Sequence, residues 1–184
     1  MAEYGESSYR RFLHGDKTAL EELIRTYSDA LVRFALGYVK DPTIAEDVME
    51  DTFAALYMKA PRLRDEQRLR AYLYRIARNK CMDYLRNHRD DVPLEDVENV
   101  LFCCDAEADV EVRERNRQLY LCMQGLPEQY REVLQLMYFD GFDLTRTAKI
   151  MGRNPKQVYN LHTRAKNALK KLLQKEGISH EDLS

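Results

Sequence analysis

Apolar residues recur along this chain at three- and four-residue steps, and this helical period limits the possible folds more than any other feature. Such spacing places apolar side chains on one face of an α-helix, where they can pack against neighbouring helices. No segment alternates with a period of two over a length that would predict a β-strand. We therefore expect an all-α protein. The three clearest stripes comprise Leu20, Leu23, Ile24, Tyr27, Leu31, Phe34 and Tyr38; Ala45, Val48, Met49, Thr52, Phe53 and Leu56; and Leu69, Leu73, Ile76, Ala77, Tyr84 and Leu85.

The helical pattern is interrupted once over a long segment, which divides the chain into two small domains. Residues 90–113 lose the period and are rich in acids, so they are interpreted as an acidic linker, with a short helical turn near Val97 to Phe102. The predicted domains are residues 1–89 and 114–184. A length of 184 residues is compatible with this division.

Capping and turn residues set the limits of individual helices. Asp41 and Pro42 supply an N-cap and a first-turn proline for the second stripe. In the second domain, one helix is expected from around Arg113 to Gly125, and two short helices are expected within residues 144–175. Between them a helix should begin at Pro127, end at Gly141 and turn inward the side chains of Tyr130, Val133, Leu134 and Met137.

The formal net charge of −2 hides a sorting of charge along the chain. Residues 59–89 hold ten bases and three acids, residues 90–111 hold nine acids and no base, and residues 144–175 hold nine bases and no acid. Two basic blocks separated by an acidic segment indicate two contacts with a polyanion, such as nucleic acid. For either block alone, a solvated helix face is the alternative.

The basic block at 144–175 has the spacing of a helix-turn-helix unit. Ala148 is a small residue where two helices can touch, and Gly152 suits the tight turn between them. Val158 and Leu161 return apolar side chains to the first helix, and Pro155 suits the first turn of the second. Outward amide and basic groups can pair with base edges and phosphates in a major groove, although two packed helices with a solvated face remain the alternative. The candidate duplex-DNA contacts are Arg153, Lys156, Gln157, Tyr159, Asn160 and Arg164, and Thr163 and Lys166 lie on the same side.

The other basic block combines arginines with aromatic and amide side chains. On a helical wheel, Arg68, Arg75, Arg78, Arg86 and Arg89 fall within roughly 80° of each other, opposite the apolar stripe. Rings can stack on unpaired bases while cations follow the backbone, so this face favours single-stranded nucleic acid. An ordinary amphipathic helix is the alternative. The wheel places near the basic edge Tyr72, Tyr74 and Asn79.

The second helix carries an acidic face. Glu46, Asp47, Glu50 and Asp51 lie within about 140° of each other, away from Phe53 and Leu56 on the wheel. Acids early in a helix also interact favourably with its macrodipole, so a plain acidic first turn is one interpretation. A contact surface for a basic protein partner is the other.

The remaining composition argues against several other classes. The four cysteines have no C-x-x-C pair and no nearby histidine pair, so we expect neither a disulfide framework nor a metal site. A redox role for Cys103 and Cys104 stays open. No apolar run is long enough to cross a bilayer, and the first residues lack the apolar region of a signal peptide. A cytoplasmic protein without membrane insertion is expected.

Three segments in order resemble the sigma-70 family of bacterial RNA polymerase sigma factors, in particular its short extracytoplasmic-function (ECF) group. The region 2.2 helix of that family resembles DPTIAEDVMEDTFAALY, and regions 2.3–2.4 resemble LRAYLYRIARNKCMDYLRNHR. Region 4 resembles LPEQYREVLQLMYFDGFDLTRTAKIMGRNPKQVYNLHTRAKNALKKLL. The resemblance covers almost the whole chain except the linker and both ends.

This resemblance implies a promoter-recognition subunit that is no enzyme and needs no cofactor or metal. Its partners would be core RNA polymerase, through the β′ clamp and the β flap, and promoter DNA. An anti-sigma factor is expected by family analogy. The linker would run near the RNA exit path, where its acids could mimic nucleic acid.

The resemblance also assigns roles to the candidate residues. The helix-turn-helix would read the −35 element as duplex, while the third helix and the residues from Pro61 to Arg68 would hold the −10 element as an unpaired strand. The implied −10 contacts are Arg68, Tyr72, Arg75, Arg78, Asn79 and Arg86. The implied polymerase contacts are Glu46, Asp47, Glu50, Asp51 and Phe53, with Asp47 the best matched.

Several positions depart from the family pattern. Glu50 replaces the usual glutamine of the acidic helix, and Tyr72 stands where tryptophan is common but still supplies a ring. Leu161 and His162 replace the usual Arg-Leu pair, and residues 146–148 replace Glu-Ile-Ala. We expect the inner face of the second helix of the helix-turn-helix to be slightly rotated. We also expect His162 to be packed or partly exposed.

Two other functional classes would each account for part of the sequence. A stand-alone helix-turn-helix regulator would account for residues 144–175, but it leaves the acidic helix and the first basic block unexplained. An enzyme that uses Cys81 or Cys122 with a histidine is the other class. None of the four histidines has a sequence neighbour that could orient it for catalysis.

Overall fold

The computed structural model describes residues 2–59, 61, 63, 66–88, 119 and 121–175, and every regular element within these ranges is helical. The all-α prediction is therefore confirmed. The chain divides into two compact units, residues 1–101 and 102–184.

Among the described residues, the first unit contains four helices, and the second contains three helices, a π-helical segment and a further helical stretch before them. In the first unit α1 spans Ala2–Leu13, α2 Lys17–Val39, α3 Pro42–Lys59 and α4 Glu66–Asn87. In the second unit residues 121–124 are helical, α5 spans Glu128–Leu134 and continues as a π-helix over Gln135–Phe139, α6 spans Leu144–Met151 and α7 spans Pro155–Lys175.

Helix α2 is the centre of the first unit and packs against α1, α3 and α4. Its predicted stripe supplies Leu23, Leu31 and Phe34 to the core, each no more than 1% exposed. The Phe34 ring lies 4.8 Å from that of Tyr74 on α4, at an interplanar angle of 51°. Burial of a leucine or phenylalanine of this kind contributes about 1.5–3 kcal/mol. The apolar stripes therefore do bring the helices together.

Short side-chain caps fix where the helices of the first unit begin. The carboxylate of Asp16 accepts the N–H of Thr18 at 2.9 Å at the start of α2. Helix α2 ends at Val39, and the next residue, Lys40, caps it in the left-handed conformation with φ 58°. The next residue, Asp41, accepts the N–H of Ile44 at 3.1 Å, so the predicted cap of α3 is present.

The second unit contains the predicted helix-turn-helix as α6 and α7. Gly152 has φ 64°, and its N–H donates to the carbonyl of Ala148 at the end of α6. The left-handed region favours glycine, which explains this residue at the turn. Ala148 is 2% exposed and Val158 is fully buried, so the two helices touch at the positions that the spacing predicts.

Two helices differ from their predictions. The sequence pattern predicted no helix for residues 2–13, where α1 lies. Helix α7 is not short but 21 residues long, because neither glycine nor a further proline interrupts it and its buried side chains continue to Leu173.

The helix from Pro127 also departs from simple α-helical geometry. The N–H of Asp140 donates to the carbonyl of Gln135, one residue further back than in an α-helix. Val133 and Leu134 are buried as predicted, but the fully buried residue that follows is Leu136, whereas Met137 is half-buried. A period of 3.6 residues does not describe this wider turn.

Some of the sequence predictions concern residues outside the described ranges. These are the acidic linker at 90–113 with Cys103 and Cys104, the helical turn near Val97 to Phe102, Arg89 of the basic face, the helix start near Arg113 and the domain limits at 89 and 114. Among the described helices, none contains a stretch long and apolar enough to span a bilayer.

Candidate functional site

The second helix of the helix-turn-helix, α7, presents most of the predicted duplex contacts to solvent. Its exposed side chains include Tyr159, which is 59% exposed despite its aromatic ring. Val158, Leu161 and Ala165 point the opposite way and anchor the helix. Arg153, in the turn, is half-buried. The other exposed candidates are Lys156, Gln157, Asn160 and Arg164.

A reciprocal capping box forms the start of α7 and engages the side chain of one candidate DNA contact, Gln157. The N–H of Gln157 donates to Oδ1 of Asn154 at 2.9 Å, and the N–H of Asn154 donates to Oε1 of Gln157 at 3.0 Å. This arrangement satisfies two backbone donors at the helix start. The Gln157 side chain therefore has a structural role in the free protein, and only its amide nitrogen is not used by this cap.

Asp143, which directly precedes the basic segment, is used internally. Asp143 caps α6 by accepting the N–H of Arg146 at 2.8 Å, and the same carboxylate pairs with the Arg146 guanidinium. The charge of Arg146 is thereby offset locally. Helices α6 and α7 themselves contain no acid, so a phosphate approaching α7 meets no carboxylate of either helix.

His162 packs beside Tyr138 of the π-helical segment, as expected of a partly exposed residue. Its Nε2 lies 3.0 Å from the Tyr138 hydroxyl, and the two rings lie 5.6 Å apart. Burial lowers the pKa of His162, and nearby Lys166 lowers it further. The usual leucine at this position is thus replaced by a polar contact that ties α7 to the π-helical segment.

Helix α4 carries the basic face predicted to bind single strands. Arg68, Arg75, Asn79 and Arg86 are exposed, whereas Tyr72 and Arg78 are half-buried. Arg86 pairs with Asp83 at 2.7 Å. The described part of this face therefore combines guanidinium groups, an amide and one partly accessible ring.

Tyr74 does not belong to this face, contrary to the helical wheel. It is fully buried against Phe34, and the Arg70 guanidinium lies 5.5 Å from its ring centroid. The apolar side of α4 is wider than predicted, since it also includes Cys81, which is fully buried. Burial raises the pKa of the Cys81 thiol to about 12, so this group is a core residue rather than a nucleophile.

The four acids of α3 are all exposed, as the wheel predicted. Asp51 is engaged with Lys80 of α4 at 2.6 Å, which links the acidic helix to the basic one. Phe53, included among the candidate polymerase contacts, is 4% exposed and packs in the core. Phe53 can therefore contribute to a contact surface only by packing α3 in place, not by touching a partner.

An apolar groove, which the sequence pattern did not predict, lies between α2 and α3. Its volume is about 440 Å³, and it is lined on α2 by Leu20 and Ile24. From α3 it receives Phe53 and Tyr57, and Glu50 adds a carboxylate. The sequence feature that could have indicated this groove is the end of the second stripe, where Tyr57 and Met58 continue the apolar character. In the structure these two residues are 59% and 83% exposed. The remaining lining residues are Met49 and Ala54.

Family models match both units. The model for Sigma-70 region 2 matches residues 23–90, which contain α3, α4 and most of α2. The model for Sigma-70, region 4 matches residues 116–169, which contain the helix-turn-helix. The basic faces of α4 and α7 and the acids of α3 all lie within these matches.

Proteins that are similar to this chain over most of their length are sigma factors. The chain is 30% identical over 185 residues to the RNA polymerase sigma-H factor of Pseudomonas aeruginosa, covering 94% of this chain and 95% of that protein. It is 28% identical over 163 residues to the ECF RNA polymerase sigma factor SigM of Bacillus subtilis, covering 88% and 99%.

Solved structures share the fold. CnrH, in complex with the cytosolic domain of CnrY, matches with a TM-score of 0.68 at 22% identity, covering 94% of this chain and 99% of that chain. The sigma factor RpoE of Bartonella quintana, in complex with the anti-sigma factor NepR, matches with a TM-score of 0.63 at 20% identity, covering 84% and 96%. Sigma factors are initiation subunits without a catalytic centre of their own. The chain belongs to the ECF group of the sigma-70 family, the promoter-recognition subunits of bacterial RNA polymerase.

Proposed function

We propose that this chain directs core RNA polymerase to promoters by holding two elements with two chemically different surfaces. Helix α7 binds the −35 element as duplex, and α4 binds the −10 element as an opened strand. The observation that carries this proposal is the difference between the two exposed faces. The α7 face presents basic and amide side chains on the second helix of a helix-turn-helix, whereas the α4 face combines arginines with the Tyr72 ring.

The α7 surface suits a major groove. Lys156 and Arg164 supply cations for phosphates or guanine edges, and Asn160 supplies an amide for adenine edges. The helix-turn-helix places these groups on the exposed side of the first three turns of its second helix. Gln157 reaches DNA only with the part of its amide that the capping box leaves available.

The α4 surface supplies the free energy for strand opening. Separating about ten base pairs opposes stacking of roughly 1.4 kcal/mol per step, and no described residue couples nucleotide hydrolysis to that step. Capture of unstacked bases must therefore favour the opened state. Arg75, Arg78 and Asn79, together with Tyr72, interact better with an unpaired strand than with duplex, because a ring can stack only on an exposed base face.

Polymerase docking uses the acidic face of α3 and the apolar groove beside it. Glu46, Asp47 and Glu50 are exposed on α3, and Glu50 also lines a groove of about 440 Å³. Together they suit a helical partner with an apolar stripe and basic flanks. We assign this partner to the β′ clamp and assign a further contact to the β flap on the second unit. Asp51 instead serves the internal pair with Lys80.

The wider organisation follows from this role. Residues 1–89 and 114–184 act as the −10 and −35 modules, and the acidic linker at 90–113 avoids DNA while joining them. The chain catalyses no chemical step and works in the cytoplasm with the polymerase. RpoE of Bartonella quintana binds an anti-sigma factor, and we propose a partner of that class here. A stand-alone regulator is not favoured, because neither α3 nor α4 has a role in it.

The proposal is tested by comparing a fully paired promoter with a forked one whose −10 strand is unpaired, using holoenzyme assembled from core polymerase and the full chain. We expect Arg75→Ala and Asn79→Ala to weaken binding of the forked promoter more than that of the paired one. Lys156→Ala and Arg164→Ala should weaken both by about 5- to 100-fold. Arg25→Ala, an exposed arginine on α2, is the matched control and should change neither.

Equal losses on forked and paired DNA for the α4 variants would contradict strand capture by α4. Unchanged binding by the α7 variants would contradict the −35 assignment.

A further inference from the structure

Helix α1 lies outside the family match at 23–90, yet one of its side chains reaches the residues before α4. Tyr9 is 3% exposed, and its hydroxyl donates to the carbonyl of Pro61. The N–H of Leu63 donates to the same carbonyl at 2.9 Å. A carbonyl oxygen has two lone pairs, so these two donors fix its direction.

Helix α1 is itself held on α2 by charged hydrogen bonds. The hydroxyl of Ser8 donates to Glu22 at 2.5 Å, and Nη1 of Arg11 donates to both oxygens of that carboxylate at 2.9 and 3.0 Å. Arg11 also pairs with Asp16 at 2.7 Å. Because neighbouring residues anchor the helix, Tyr9 presents its hydroxyl to Pro61 from a fixed position.

The Tyr9 side chain is enclosed by the protein. Burial raises the pKa of Tyr9 to about 12, and the nearby Tyr72 phenol adds to this shift. Tyr72 is half-buried, so one part of its ring is held by the protein while another part remains accessible. On the α1 side, the Tyr9 ring lies 6.1 Å from that of Phe12. Tyr9 thus connects α1 to Pro61, in the segment that precedes α4.

We propose that Tyr9 is a positioning residue for single-strand capture, holding Pro61 and Leu63, which precede the α4 face, in the arrangement that accepts an unpaired −10 strand. The inference rests on the proposed function of α4. Tyr9 is too deeply buried to contact DNA and acts through its neighbours. A surface that is ordered before binding loses less conformational entropy when the strand arrives, so the Tyr9 hydroxyl increases affinity for opened DNA.

The test uses Tyr9→Phe in the full chain assembled with core polymerase, since this change keeps the ring and removes only the hydrogen bond. We expect affinity for the forked promoter to fall about three- to tenfold, as for loss of one net hydrogen bond. Affinity for core polymerase and for −35 duplex should stay unchanged. Tyr130→Phe removes the hydroxyl of a half-buried tyrosine on α5 of the other unit and is the matched control.

Amide hydrogen exchange separates positioning from a general loss of stability. In Tyr9→Phe the Leu63 amide and the first turn of α4 should exchange faster, while the amides of α2 keep their protection. Wild-type affinity for forked DNA would overturn the inference, as would an equal loss on forked and paired DNA accompanied by faster exchange throughout α2. If the wild-type holoenzyme shows no preference for forked DNA, the proposed role of α4 fails as well, which distinguishes the two failures.

Discussion

At the scale of single residues, a helical wheel predicted exposure well except where the apolar face was wider than its stripe. Tyr72 and Tyr74 lie two positions apart on α4 and both flank the arginines on the wheel. Packing decides between them, because Phe34 on α2 covers Tyr74 and leaves Tyr72 half-buried. Similarly, the wheel cannot show that Asp51 pairs with Lys80, since that contact joins two helices. Which charged residues remain available depends on such tertiary contacts.

Asp16 provides a prediction of pH dependence at this scale. Hydrogen bonds from the Thr18 hydroxyl and Arg11 lower its pKa from 3.8 to about 2. Because the folded-state pKa is depressed, the stability it contributes is present above about pH 4 and is lost as the pH falls towards 2. NMR titration of the Asp16 carboxyl carbon should give a midpoint near 2 in the wild-type chain.

Two variants test the cause of this shift. Thr18→Val and Arg11→Gln should each raise the Asp16 midpoint towards 3.8, because each removes one of its hydrogen-bond donors. Asn, unlike Asp, cannot titrate but still caps a helix, so the stability difference between wild type and Asp16→Asn should shrink as the pH approaches 2. A wild-type midpoint near 3.8 would contradict the account.

At the scale of elements, the sequence predicted the helices that bury regular stripes and missed those held by other means. Helices α2, α3 and α4 follow from their spacing alone. Helix α1 contains Gly5 and two serines, and it is secured by the contacts of Arg11 and Ser8 with α2, which no local pattern reveals. The π-helical turn at Gln135–Phe139 and the apolar groove likewise arise from packing between elements.

Two glycines give a matched test of backbone geometry. Gly152 has φ 64°, and a Cβ atom added there would meet only open space, so Gly152→Ala should destabilise the second unit by about 1 kcal/mol through backbone strain alone. Gly37 lies within α2, also with open space, and Gly37→Ala should stabilise the first unit by up to about 1 kcal/mol.

Urea unfolding followed through NMR signals of each unit measures both effects. Destabilisation by both alanines, or by neither, would show that conformation at the helix-turn-helix corner is not what selects glycine at 152.

At the scale of the whole molecule, the sorting of charge acquires a physical purpose. The acid-free helices α6 and α7 suit duplex DNA, the arginines and ring of α4 suit an opened strand, and the exposed acids of α3 suit a basic protein. An even distribution of the same 29 bases and 31 acids would weaken all three proposed contacts through repulsion. The small net charge is therefore the sum of oppositely charged faces that suit different partners.

The central claim, that this chain confers promoter recognition on core polymerase, is tested most directly by sequencing RNA 5′ ends made in vitro from genomic DNA of the source bacterium. Core polymerase alone is compared with core polymerase plus the purified chain. We predict discrete new start sites preceded by two shared sequence elements at a constant spacing. Start sites that are the same with and without the chain would contradict the claim.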